Sequence, residues 1–126
     1  MSGIDWLLDT SLVIGLLKGQ DAAMVLAEEK NLVLQRTAVS QITRMELLGF
    51  PELTEAEEAE IRSFLDACQV VLLDEMVEHQ AIRLRRSGMF KLPDAIIAAT
   101  ALTLRVPLLT LDRGMSAAMG RMDEKA

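Results

Sequence analysis

Asp9, Glu46, Asp94 and Asp112 each abut an apolar run that would otherwise read as pure core. A carboxylate so placed costs free energy unless a cation or hydrogen-bond donors compensate. Asp9 closes Trp6-Leu7-Leu8, and Asp112 closes Pro107-Leu108-Leu109-Thr110-Leu111. Both therefore stand at the carboxyl ends of predicted buried strands, where α/β sheets place their ligands. Glu46 shares a predicted helix face with Ile42 and Gly49, and Asp94 follows Pro93 in the first turn of another helix. Singly, each acid has a structural reading: an N-cap for Asp9, a salt bridge or an escape to solvent for Glu46, a favourable dipole position for Asp94, a turn for Asp112. Gathered at one end of a sheet, four carboxylates would repel one another until a cation binds. Oxygen-only ligands suit Mg²⁺ or Mn²⁺, and such an ion activates water and stabilises a leaving phosphoester oxygen. The chemistry indicated is metal-dependent phosphodiester hydrolysis, with Thr10, Ser11 and Thr110 placed to orient a water or a phosphate oxygen, or simply to cap.

The elements that must position these acids follow from periodicity and punctuation. Residues 4–8 predict a short buried strand, with Thr10 or Ser11 capping a helix over Leu12–Leu17 that Gly19 ends. A helix over Asp21–Lys30, capped by Asp21, precedes a strand over Val33–Val39. Ser40 caps a helix over Gln41–Leu48, closed by Gly49 and Pro51. Thr54 and Glu57 form a capping box, opening a helix with Ile61, Phe64, Leu65 and Cys68 on one face. Val70–Leu73 reads as a strand, Met76–Arg86 as a helix ended near Gly88, and Pro93 starts an Ala-rich helix over Asp94–Leu104. A last strand begins at Pro107, followed by a short helix and, from about residue 120 to 126, a loose tail. Short apolar strands alternating with helices predict an α/β domain: a central parallel sheet of four to five strands with helices on both faces.

Composition narrows the function classes. The chain has 126 residues, enough for one domain with a real core, and is 51% hydrophobic with 25% charged residues, which excludes global disorder. Three Phe, one Trp and no Tyr argue against a binder that stacks bases on aromatic platforms. A net charge of -6 disfavours loose backbone binding to nucleic acid. The charge is uneven, however. From Arg83 to Lys91 the segment holds Arg83, Arg85, Arg86 and Lys91 and no acid, whereas Glu52 to Glu60 holds five acids and no base. A basic strip ending just before Asp94, with Arg113 beside Asp112, can seat a polyanion locally, although cations at a helix end also suit the dipole. The single Cys68 excludes an intramolecular disulfide and a cysteine-rich zinc site, and the lone His79 reads as a surface residue. The N-terminus has no signal-peptide pattern and no run approaches a membrane span, so a soluble cytoplasmic protein is expected.

With these residues in view, the chain resembles the PIN-domain ribonucleases, and within them the VapC-type toxins of toxin-antitoxin pairs. The matching stretches are Leu7-Leu8-Asp9-Thr10-Ser11 with Ile14 following, Val39-Ser40 through Arg44-Met45-Glu46-Leu47, Leu92-Pro93-Asp94 through Ala101, and Pro107 through Asp112. The resemblance implies a PIN-like three-layer fold over residues 1–126 and Mg²⁺ or Mn²⁺ held by Asp9, Glu46, Asp94 and Asp112 for RNA cleavage. It also implies a homodimer and a cognate antitoxin whose tail blocks the acidic cleft, with DNA reached only through that antitoxin. Two departures stand out: Ser11 occupies a position where many relatives have Asn, and Arg113-Gly114-Met115 follows Asp112 where an acid and an aromatic are common. A catalytically silent binding module on the same fold is the competing reading. Another Mg²⁺-binding α/β domain, a phosphoacceptor receiver or an aspartate-nucleophile phosphatase, fits less well. The late strand is followed directly by Asp112 and Arg113 where a receiver needs Lys, and position 11 is Ser where that phosphatase pattern needs a second acid.

Overall fold

Leu7 and Leu8 are neighbours in the chain and point into different cores, because successive side chains of a strand leave opposite faces of the sheet. They belong to β1 (Trp6–Leu8), the first of four strands among residues 3–125, which a computed structural model of the chain describes. The others are β2 (Thr37–Ser40), β3 (Gln69–Val71) and β4 (Leu108–Leu109). All pairings are parallel, in the order β3-β2-β1-β4. β1 pairs Leu7 with Ala38 and Leu108, and Leu8 with Val39 and Leu109. The sheet thus reaches the lower end of the expected four to five strands.

Helices cover both faces. Leu8, Val39 and Leu109 pack with α1 (Thr10–Leu17), α2 (Asp21–Glu29), α3 (Gln41–Leu48) and α4 (Glu55–Ala67), through Leu12, Val13, Ala23, Leu47, Ile61 and Leu65. Leu7 and Ala38 pack on the other side with α6 (Leu92–Leu104) and α7 (Arg113–Lys125). α5 (Glu75–Arg86) lies against α6 through Val77 and Ala81, which meet Ile96 and Ala99. This is the three-layer α/β arrangement. The Ala-rich sequence of α6 explains its burial, since small side chains let the helix approach the sheet closely. Gly15 does the same for α1, because a Cβ there would lie 2.8 Å from the Ala23 Cβ of α2.

Several ends differ from expectation. The cap of α1 is Asp9, the N-cap role weighed for it, and not Thr10 or Ser11, and the cap of α2 is Gln20, with Asp21 already helical. The strand expected over Val33–Val39 is shorter, as Leu34–Arg36 forms a 3₁₀ turn closed by the Thr37 hydroxyl on the Leu34 carbonyl at 2.8 Å. The segment expected as a loose tail is helical as far as Lys125, and Ala126 lies outside the described residues. Among the described residues no single helix is long and apolar enough to cross a membrane.

Candidate functional site

The chain leaves β1 towards β2 on one side, while β4 adds on the other, so the strand order reverses at β1. A crevice opens at such a reversal, at the carboxyl ends of the strands. Asp9 follows β1, Thr110 follows β4, and Ser40 ends β2 and caps α3, which carries Glu46. Three loops are thereby directed to one place.

Asp9 is the centre of the hydrogen bonding there, and only 5% of it is exposed. Its Oδ1 accepts from the Leu12 N–H at 2.9 Å, which makes it the N-cap of α1, and from Ser11 Oγ at 3.0 Å. Its Oδ2 accepts from the Thr110 hydroxyl. Burial nevertheless pushes the Asp9 carboxyl above its ordinary range, and the charge of Asp112 adds to the effect. Thr110 Oγ1 also accepts the Asp112 N–H at 2.9 Å, so one hydroxyl ties β1 to the start of α7. The Asp112 carboxylate caps that helix, accepting from the Met115 N–H at 3.1 Å. Capping and membership of the acidic group therefore coincide at Asp9 and Asp112.

Glu46 has a different anchor. Its Oε1 accepts from the Thr10 hydroxyl at 2.7 Å, and Thr10 Oγ1 lies 3.0 Å from the fully buried Thr43 hydroxyl. A hydroxyl has one proton to give. With the Thr10 proton on the Glu46 carboxylate, Thr43 supplies the other, forming a chain Thr43–Thr10–Glu46. The salt bridge considered for Glu46 is absent among the described residues.

Asp94 stands in the first turn of α6, after Lys91 at the cap position and Pro93. Among the described residues no donor hydrogen-bonds its carboxylate. Burial raises its carboxyl above the ordinary range, and the charges of Asp112, Glu46 and Asp9 raise it further, against a smaller pull from Lys91. The three other predicted acids thus all act on the fourth. Their donor chemistry, carboxylate oxygens under mutual repulsion, fits a hard divalent cation. The chelate is not closed as the side chains stand: among the described residues no three acids come near enough to hold one ion together.

The predicted cations divide. Lys91 lines a groove with Asp94 and Asp112, but Arg83, Arg85 and Arg86 sit in the last turn of α5 and do not line it. Arg83 donates to Gln80 Oε1 at 3.3 Å, and Arg113 is exposed as the first residue of α7. Two residues escaped the sequence reading. Thr43, three residues before Glu46 in the predicted helix, was given no role, and Arg121, which also lines the groove, fell in the presumed tail. Cys68 is excluded as a nucleophile, since its thiol is half-buried, donates to the Leu65 carbonyl at 3.6 Å and is pushed up to about 11 by burial.

The family model described as PIN domain matches residues 6–120. No curated protein sequence matches the chain significantly. Among solved structures, a toxin-antitoxin complex from Klebsiella pneumoniae contains a chain 30% identical to this one, with a TM-score of 0.72 over 86% of this chain and 87% of the other. A chain of FitAcB from Neisseria gonorrhoeae is 26% identical, with a TM-score of 0.73 over 91% and 93%. A chain of DNA-bound VapBC from Salmonella typhimurium is 25% identical, with a TM-score of 0.69 over 90% and 91%.

Proposed function

The chain belongs to the PIN domain family, in its VapC-type branch of nucleases, and from that premise we propose that it is the toxin of a toxin-antitoxin pair, hydrolysing RNA phosphodiester bonds with Mg²⁺ or Mn²⁺. The observation that carries this reading is Asp94, a carboxylate without a hydrogen-bond donor among the described residues, whose proton affinity is raised by burial and then by the three other acids at the same sheet end. A divalent cation relieves that repulsion.

Asp9 and Asp94 hold the ion, with Glu46 and Asp112 completing its surroundings or holding a water. Bound there, the ion supplies water activation and charge stabilisation at the phosphodiester. The protein's own part is orientation. Thr110 and Ser11 fix the Asp9 carboxylate by hydrogen bonds to its two oxygens, and Thr10 fixes Glu46. Lys91, Arg83, Arg85, Arg86 and Arg113 attract the phosphate backbone, with Lys91 in the groove that Asp94 and Asp112 also line. The departure at Ser11 is accommodated, since its hydroxyl donates to Asp9.

A cognate antitoxin that covers the acidic cleft, a cytoplasmic location and DNA contact only through the antitoxin complete the proposal. So does a homodimer, which exposed apolar side chains support: Met45, 61% exposed, lines a shallow hollow with Ile42 and Leu73, and Leu72 and Met76 are each 67% exposed. The reading is tested in cells. Induced expression arrests growth, Asp94→Asn does not, and co-expression of the protein from the adjacent reading frame restores growth. Arrest by Asp94→Asn protein equal to that by the parent would favour the silent binding module.

A further inference from the structure

The groove beside Asp94 and Asp112 extends beyond the acids. One wall is the segment from Met89 to Asp94, and the other is a face of α7 on which Gly114, Ala118 and Arg121 follow at helical spacing. Gly114 has no side chain and Ala118 only a methyl, which keeps the channel open beside Asp112. Phe90 and Met115 form a nearly buried apolar floor. Seven residues of helix place Arg121 about 10 Å along the axis from Gly114. The groove therefore runs from two acids to an exposed arginine, past Lys91, over an apolar base.

We propose that this groove seats the single-stranded RNA adjoining the scissile phosphodiester, with Lys91 and Arg121 holding its phosphate and the floor formed by Phe90 and Met115 taking a sugar or base face. The inference rests on the nuclease reading and adds to it a substrate-contact residue, Arg121, and a place for the strand. Charge complementarity favours RNA as the occupant. Cations stand on both walls, and among the described residues that line it the acids are Asp94 and Asp112, at the end where the metal would neutralise them. A cationic peptide would meet Lys91 and Arg121 with like charge. Aromatic stacking is not needed, which agrees with a chain of three Phe and one Trp.

The test uses a fluorescein-labelled single-stranded RNA of mixed sequence, bound in Mg²⁺ by full-length Asp94→Asn protein so that cleavage does not intervene. Adding Arg121→Gln is expected to weaken binding several-fold and to reduce the slope of log affinity against log salt by about one, with Lys91→Gln acting in the same direction. Arg62→Gln, a charge change on α4, serves as the control and leaves both unchanged. In the cleaving parent, Arg121→Gln is expected to raise KM with little change in kcat. Affinity and salt slope equal to the parent's in both Arg121→Gln and Lys91→Gln would overturn the proposal. So would an Arg121→Gln protein that binds RNA normally while losing antitoxin, which would give the groove to that partner. Failure of the nuclease reading looks different, because then the parent itself cuts no RNA or Asp94→Asn cuts as well as the parent.

Discussion

The Thr10 hydroxyl donates to Glu46 Oε1 over 2.7 Å, joining the first residue of α1 to the third-last residue of α3. Behind it stands Thr43, fully buried, its hydroxyl 3.0 Å from Thr10 Oγ1. The pair shows how a glutamate on α3 is held towards the cleft without a salt bridge among the described residues.

Thr43→Val keeps shape and removes the hydroxyl. It is expected to cost about 1 kcal/mol of stability, the usual net worth of one hydrogen bond. It is also expected to weaken Mn²⁺ binding several-fold, whereas Thr43→Ser restores it. In a Glu46→Gln background the same substitution leaves Mn²⁺ affinity unchanged, because its effect passes through Glu46. Calorimetric titration with Mn²⁺ over the four proteins measures this, and additive losses would remove Thr43 from the chain.

Asp94 makes stability depend on pH in an unusual direction. Its folded carboxyl binds its proton more tightly than the unfolded one, as does that of Asp9. Stability is therefore reduced above the folded value and recovers as pH falls through it towards about 4. Metal-free Asp94→Asn is expected to melt above the parent at pH 7, with the gap closing at pH 4. Mn²⁺ raises the parent's Tm at pH 7, and less as protons compete. Thermal melts at both pH values check this, and a metal-free Asp94→Asn protein less stable than the parent at pH 7 would contradict it.

Ser40 offers a contrast between holding a helix and holding a functional group. Its hydroxyl accepts the Ile42 N–H at 3.2 Å at the start of α3. Ser40→Ala is expected to cost about 1 kcal/mol, a fall of about 4 °C in Tm, while folded protein keeps its Mn²⁺ affinity. Denaturant melts beside metal titration separate the two effects.

Features that rest on one residue type at one position were legible in the sequence. Ser40 before α3, and Thr54 with Glu57 before α4, are capped as expected, with the Thr54 hydroxyl accepting from the Glu57 N–H at 3.1 Å. Asp9-Thr10-Ser11 was not resolvable, since all three are good caps. The choice depends on which one takes extended backbone, and Asp9 does, at φ -83° and ψ 169°. The acids were legible as acids out of place, because their cost is local. Thr43 was not, because a threonine inside a helix shows its partner only when α1 lies across it. Arg121 was hidden by Gly120 and the polar residues after it, which read as a chain end although the helix continues.

The exposed patch of Met45, Leu72 and Met76 predicts self-association. Leu73 lies beside it, its N–H bonded to Gln41 Oε1 at 2.7 Å, which fixes the loop against α3. Met45→Glu combined with Met76→Glu is expected to turn a dimer into a monomer by light scattering, with the helical signal unchanged. A parent that is already a monomer at micromolar concentration would contradict the dimer.

The central claim is tested most directly by incubating a mixed RNA pool with purified, antitoxin-free protein in Mg²⁺, in Mn²⁺ and in EDTA, beside Asp94→Asn protein shown to be folded. Cleavage with either metal, none in EDTA and none by the variant is the predicted result. Cleavage that survives in EDTA or in folded Asp94→Asn protein, or no cleavage by the parent under any of these conditions, would contradict it.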